Sequence, residues 1–532
     1  MSSNGRDFDA MVATGPTPSA APPWKVGTKL DDWWASRSHT TRSLIRWSAP
    51  VGVMVTAALT RLIGLAHPHE IVFDETYYVK DAWTTWNLGY EATWQNDPSA
   101  SDEYWANKQL AAGNADVFTT TGSFAVHPPL GKWLIALGMA LFGPASSFGW
   151  RFAVAIFGIL LVGLVMLVAH RLTRSLLVAS LAGGLLAIDG NGIVMSRVAL
   201  LDVFLAFFAL LAFYFVLLDR ERTNRTGALW RPWLLAAGAA LGAATAIKWS
   251  GLWFIAFFGI WTVVADLWGM GRHWPGTRVR EIVRPLVNFL TIVPIALAVY
   301  LLAWTGWFAT DGGYYRQWAT EGDHAWTGFW SWVPLPLQSF IHHQGEVYRF
   351  HSELRADHPY KSPAWAWLLI ARPTAMWYQA STGADDPACA SQSCGALITD
   401  LPNPLIWYAS IAALVWVIVM LVRRRGRDGA LWAIVIGFSA AYVPWLLFPE
   451  RPTYFFYSIA YQPYLVIALA IALKHVLGNP WDERSRRRSG ILGVSAFLVL
   501  AVALSVYFWP VWTGMTVDAG FLASHYWSPS WA

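Results

Sequence analysis

Residues 149–170 read GWRFAVAIFGILLVGLVMLVAH, and Arg151, at the start of the run, is its single Lys, Arg, Asp or Glu. About 20 apolar residues suffice for a helix to cross the hydrocarbon core of a bilayer. Working outward, comparable apolar blocks occur at 46–66, 175–190, 199–219, 232–247, 251–268, 284–307, 404–422, 429–448, 454–474 and 490–509. With 149–170 they make eleven predicted spans. Of the 532 residues 55% are hydrophobic and 13% are charged, whereas about a quarter of a soluble domain is charged. The expected fold class is an all-α polytopic membrane protein. A soluble enzyme, a disordered chain and a coiled coil are excluded. The net charge of +5 is no nucleic-acid footprint, because the basic residues sit beside the apolar blocks, where they orient a chain in the membrane. The 35 Trp and 19 Tyr suit contact with membrane lipids at the headgroup level.

Lys and Arg mark cytoplasmic connections. Here they gather at Arg171 and Arg174, at Arg220, Arg222 and Arg225, at Arg272 to Arg284, at Arg423 to Arg427, and at Lys474 to Arg488, with more in the N-terminal tail. The intervening connections hold few, and 510–532 holds none. This alternation requires that 130–143 (LGKWLIALGMALFG) not cross, so it is read as a juxtamembrane helix of the first outer loop. The expected organisation is a disordered cytoplasmic tail (1–45) and an N-terminal transmembrane module (46–307) containing the first outer loop (67–129). A second outer loop (308–403), C-terminal helices (404–509) and an outer tail (510–532) follow. The expected location is the plasma membrane, with the N-terminus cytoplasmic and 46–66 kept as an uncleaved anchor. Cys389 and Cys394 lie in the second outer loop, either paired in an oxidising compartment or as two thiols. No ligand spacing around them supports zinc.

The first outer loop opens HPHEIVFDETYYVKDAW at 67–83. Asp74 and Glu75 therefore lie at the membrane surface, followed by a helical pattern from Thr76 to Trp86. Two readings stand for the pair: solvated loop carboxylates, or a general base serving a substrate that arrives from water. Lys132, Arg151, Lys248 and Arg451 fall on the same rim. As a set they suggest a phosphate cradle, although an interfacial Arg151 by itself also fits snorkelling to headgroups. Asp189 and Asp202 flank GNGIVMSRVAL near the outer ends of their spans and are expected to pair with Arg197, while Arg61 is expected to face the bundle. His342, His343, His351 and His358 cluster in the second outer loop but match no metal motif. They and their neighbouring Trp residues fit either substrate contact or interfacial anchoring.

Several stretches together resemble one family. FDETYY (73–78), VHPPLGKWLIALG (126–138), GWRFAVAIFG (149–158), LLDVFLAFF (200–208), AIKWSGLW (246–253) and HPYKSPAWAWLLIARP (358–373) resemble the protein O-mannosyltransferases. The resemblance covers roughly 60–475 and implies the glycosyltransferase type C (GT-C) fold. It implies that Asp74 is the catalytic base with Glu75 as its partner, and that Arg151 and Lys132 serve the lipid phosphate or the integrity of the site. Lys248 and Arg451 complete the expected donor-phosphate set, and His127, His342, His343, His358 and Tyr360 are candidate substrate contacts. The second outer loop is too short for the β-trefoil repeats of eukaryotic members, which places the chain with the shorter bacterial branch. Where eukaryotic relatives often carry histidines before the tenth span, this chain reads RPTYFFY (451–457), so no acid–base role is expected there. The implied donor is polyprenyl-phosphate-mannose, the acceptor a Ser/Thr hydroxyl of an unfolded secreted or membrane protein, and the outcome inversion at the anomeric carbon. Association with the secretion channel fits an acceptor modified before folding. Some type C relatives need a divalent metal, but only Asp74 and Glu75 offer ligands here, so no cofactor is expected. The competing readings are a GT-C enzyme with a glycolipid or cell-wall glycan acceptor and, from another class, a lipid flippase or transporter. The latter is disfavoured by the lack of an internal repeat.

Overall fold

Each of the eleven predicted apolar segments is largely helical in the computed structural model, which describes residues 26–99, 101–226, 229–268 and 278–531. The helices of seven or more residues are α1 (Lys29–Ala35), α2 (His39–Leu62), α3 (Glu75–Leu88), α4 (Trp105–Ala111), α5 (Leu130–Phe142), α6 (Ser147–Thr173), α7 (Leu176–Ile188) and α8 (Asp202–Thr226). They continue with α9 (Pro232–Ile247), α10 (Gly251–Trp268), α11 (Arg278–Ala303), α12 (Leu335–Glu353), α13 (Pro404–Arg423), α14 (Gly429–Tyr442), α15 (Gln462–Leu477) and α16 (Arg484–Thr513). The helices α2, α6, α8, α11, α13, α16 and α14 with its 3-10 extension to Leu447 are long and apolar enough to cross a membrane. The protein is a multi-pass membrane protein.

The remaining predicted spans are shorter. The helix α7 has 13 residues and α15 has 16, so at 1.5 Å per residue neither matches a hydrocarbon core of about 30 Å. Both stop short at the same end of the bundle, where the short helix Gly190–Val194 and the 3-10 turn Phe455–Ala460 fill the space. That is also the end where the long loops gather. Asp189 caps Gly190–Val194 by accepting from Asn191 N, and it accepts from Asn403 N as well. It does not pair with Arg197, which instead donates to the carbonyls of Thr60, Arg61, Ile63 and Gly64. The peptide carbonyls left at the end of α2 explain this correction, because a guanidinium satisfies several of them at once. Arg61 faces inward as expected and donates to the carbonyls of Leu186, Ala187 and Gly192.

Helix α5 begins and ends at this same end. Lys132 in its first turn reaches Asp81 on α3, while beyond its last turn Ser147 meets Ala66 and His69. It packs tightly on α6, since a Cβ on Gly138 would stand 2.4 Å from the Gly149 carbonyl oxygen. Small residues let the two backbones touch.

The first long loop also carries the antiparallel pair β1 (Ala92–Trp94) and β2 (Phe118–Gly122). The second forms an antiparallel sheet of β3 (Thr374–Ser381) and β4 (Cys394–Asp400), with β5 (Val517–Asp518) from the C-terminal tail on the far edge of β4. Cys389 and Cys394 are joined as a disulfide. His67 bonds the Gly514 carbonyl at 2.7 Å, and Trp377 donates to Glu70 at 2.5 Å, so the two loops and the tail form one cap.

The opposite end is basic. There Arg231 pairs with Asp219 and Asp266, and Arg174 with Glu221. The expectation of disorder through residue 45 is corrected for the described part of the tail. Thr28 and Asp31 form a capping box that starts α1, Asp31 pairs with Arg487 at 2.8 Å, and Val26 bridges Glu483. The amphipathic KLDDWWA sequence finds its partner 456 positions away, beyond the reach of local pattern reading. Residues 1–25 lie outside the described residues.

Candidate active site

Asp74 and Glu75 are adjacent at the start of α3 and have opposite surroundings. Glu75 is 0% exposed. Its Oε1 accepts from Arg151 Nε (2.8 Å) and Ala199 N (2.8 Å), and its Oε2 accepts from Arg151 Nη2 (2.9 Å) and Val72 N (3.0 Å). With four donors on two oxygens, it has no lone pair to offer a substrate proton. The expectation that Glu75 works catalytically is therefore corrected: it anchors the loop to α6. Asp74 is half-buried, and its carboxylate makes no side-chain capping bond to α3. Burial raises its pKa to about 6, with nearby Lys248 pulling it down and Asp202 pushing it up. A carboxylate so tuned, with no hydrogen-bond or ion-pair partner among the described residues, is suited to accept a proton.

The residue before it fixes its direction. Phe73 has a φ of 47°, a left-handed conformation that costs a non-glycine residue about 1–2 kcal/mol. Edge-on contacts to His358 (6.1 Å), Tyr454 (6.3 Å) and Phe456 (5.8 Å) hold its ring. This strain sits one residue from the free carboxylate, as expected for a site over-determined by its surroundings.

The four basic residues divide in two. All five N–H groups of Arg151 are committed inside the fold, to Glu75 and to the carbonyls of Leu65, Pro68 and Glu70. Lys132 is likewise saturated by Glu91 (2.8 Å), the His127 carbonyl (3.0 Å) and Asp81 (3.4 Å). Both are about 1% exposed. The expected phosphate contacts from Arg151 and Lys132 are corrected to positioning roles, because no donor remains. Lys248 spends one donor on Asp202 (2.7 Å) and lies over the Tyr457 ring at 5.0 Å. Arg451 has no carboxylate partner among the described residues. It donates from Nη2 to His351 Nδ1 (3.0 Å) and rests over Trp445.

Sequence profiles match two parts of the chain. Residues 143–308 match dolichyl-phosphate-mannose-protein mannosyltransferase, and 336–531 match the C-terminal four TMM region of protein-O-mannosyltransferase. The polyprenol-phosphate-mannose–protein mannosyltransferase of Mycolicibacterium smegmatis is 32% identical over 518 residues, covering 91% of this chain and 93% of that one. The chain belongs to the protein O-mannosyltransferase family. Its similarly named relative in Corynebacterium glutamicum is 31% identical over 99% of this chain and 98% of its own. The fold matches that of the Saccharomyces cerevisiae Pmt1–Pmt2 complex bound to the sugar donor, with a TM-score of 0.69, 16% identity, and coverage of 96% of this chain and 95% of that one. GT-C architecture, expected from the motifs, is thereby shown.

In this family member the histidines separate into two groups. His127 stacks on His351 at 5.4 Å, and His358 packs on Phe73, so these border Asp74's surroundings. Burial and the neighbouring Lys248, His351, Lys132 and Arg451 push His127 well below the usual histidine range. Burial and Arg451 bring His351 to about 4. His351 was expected only as one of the clustered loop histidines. With Nε2 against the Val126 carbonyl and Nδ1 against Arg451, its neutral form is held with the proton on Nε2. Its signal was faint, one more histidine in a histidine-rich loop. His342 stacks flat on Trp318 at 4.0 Å, and His343 is buried against Trp304 and Phe124. Neither contacts Asp74, and packing accounts for both. Tyr360 lies beneath Arg372 and beside His358.

Proposed function

We propose that this protein transfers mannose from polyprenyl-phosphate-mannose to Ser/Thr hydroxyls of secreted or membrane proteins, with Asp74 as general base. The observation that carries this reading is the Asp74 carboxylate, tuned to about 6 and without a hydrogen-bond or ion-pair partner among the described residues, close to Lys248, which spends only one donor on Asp202. The names of the bacterial relatives supply the donor and acceptor classes.

In the reaction, Asp74 takes the acceptor hydroxyl proton as that oxygen forms a bond to the anomeric carbon. The bond from the same carbon to the phosphate oxygen breaks, and its electron pair leaves with the lipid phosphate. Attack opposite the phosphate inverts the anomeric configuration. Lys248 and Arg451 bear the departing charge. Preorganised cations stabilise developing anions without reorganisation, and phosphate needs no general acid to leave, so the reading requires no cofactor. Glu75 and Arg151 hold the Asp74 loop, and Lys132 holds the far end of α3.

The loop-bearing end faces outward, the N-terminus is cytoplasmic, and the enzyme lies in the plasma membrane beside the secretion channel, where acceptors are still unfolded. The test combines purified protein, synthetic polyprenyl-phosphate-mannose and a Thr/Pro-rich peptide. Mannosylated peptide is expected from the wild type and not from Asp74→Asn. Transfer to a glycolipid acceptor alone would overturn the protein-acceptor reading.

A further inference from the structure

Three of the four basic residues described above meet a carboxylate: Arg151 meets Glu75, Lys132 meets Glu91 and Lys248 meets Asp202. Arg451 meets none among the described residues, and the adjacent Glu450 pairs with Arg355 instead (3.0 Å). What holds Arg451 is His351, whose Nδ1 accepts from its Nη2 at 3.0 Å, with the Trp445 ring 5.7 Å from the guanidinium carbon. One contact at the edge and one on the face leave a planar group little freedom to turn. The Arg451 Nε is shielded from solvent and donates to nothing among the described residues.

The nature of the acceptor decides what charge remains. A carboxylate would fix the guanidinium and also offset its charge, whereas an imidazole nitrogen fixes it and leaves that charge whole. Only the neutral ring serves, because a protonated imidazole has two donors and no acceptor. Burial and Arg451 itself bring His351 to about 4, so the ring is neutral at pH 7. The ring is fixed in its turn. Its Nε2 bonds the Val126 carbonyl at 2.9 Å, and it stacks on His127 at 5.4 Å. It also lies 6.2 Å from the ring of Trp249, the neighbour of Lys248. His351 belongs to the last turn of α12, and Phe340 in the first half of that helix packs on Trp304 (5.3 Å) and Trp307 (5.6 Å), just beyond α11.

We infer that His351 is a positioning residue for the donor, which aims Arg451 at the lipid phosphate without neutralising it. The inference rests on the reading above that Arg451 bears the departing charge.

The test measures the Kd of the full-length protein for polyprenyl phosphate, and the KM for polyprenyl-phosphate-mannose. In His351→Asn the amide oxygen can stand where Nδ1 stood, so the acceptor for Arg451 survives and the Val126 bond is lost. In His351→Gln the amide reaches the place of Nε2 instead, so the Val126 bond survives and the acceptor is lost. His351→Asn is expected to bind within about 2-fold of wild type. His351→Gln is expected to bind about 5-fold more weakly, as for one long side chain that must be ordered on binding, with KM rising in parallel. In an Arg451→Ala background the two substitutions should differ by less than about 2-fold, which a general loosening of the fold would not produce. Equal binding by the Asn and Gln variants, tighter binding by Gln, or a difference that persists without Arg451 would overturn the inference. If Arg451→Ala alone leaves Kd unchanged, the reading beneath it fails instead, because Arg451 then does not meet the phosphate.

Discussion

Asp74 and Glu75 differ by one methylene and one position in the chain, yet the fold treats them as different kinds of residue. Glu75 is enclosed by Arg151 and two backbone N–H groups, whereas Asp74 keeps both oxygens out of any side-chain cap. The difference comes from helix phase. At the first position of α3 the Glu75 side chain reaches Arg151 on α6, whereas Asp74 sits at the N-cap directly after the left-handed Phe73. The lesson is a division of labour: one carboxylate holds the loop still so that the other can be left chemically idle until a substrate arrives.

The largest effect should come from breaking the enclosed member. Glu75→Ala strands a buried guanidinium and is expected to cost about 3–5 kcal/mol of stability, read as a large fall in thermal unfolding temperature in detergent. Replacing both partners, Glu75→Gln with Arg151→Met, should recover much of that loss. A Glu75→Ala protein that melts like wild type would end the contrast. Asp74→Asn should do the reverse, leaving unfolding unchanged while lowering turnover by about 100-fold or more, about 2.7 kcal/mol. Arg451→Ala should raise KM for the lipid donor about 10-fold, as for one lost hydrogen bond to a charged group, where Arg151→Ala acts on stability. The gentlest probe is pH. As the proposed general base Asp74 works unprotonated, and burial lifts its pKa from 3.8 to about 6, so the rate should fall about tenfold per unit as pH drops below 6. An unshifted aspartate would hold its rate to about 4. A profile flat down to pH 4.5 would place the base elsewhere.

Much of this was legible from residues alone. The apolar blocks and the alternation of arginines placed the helices and kept α5 from crossing, because hydrophobic length and charge are local properties of sequence. The place of Asp74 just past a span was legible for the same reason, whereas from the residues alone its role stayed open between a solvated carboxylate and a base, and only the family resemblance pointed to the base. Ion-pair partners were not. Lys132 and Glu91 are 41 residues apart, and Arg151 and Glu75 are 76 apart, and nothing near Glu91 marks it as a partner. A basic residue on a rim reads as a donor waiting for phosphate until the fold shows its hydrogens already taken. Asp202 was expected beside Arg197 and instead holds Lys248, because carbonyl groups at the end of α2 claimed the arginine first.

The seat of α1 on the last long helix carries a consequence for how the molecule is made. Asp31 and Arg487 stand 456 positions apart, so ribosomes must make all of the intervening chain before the latch can close. Helix α1 thus settles only after α16 has been made, and a protease cutting between α1 and α2 should release α1 from nascent chains that lack α16 while sparing chains that contain it.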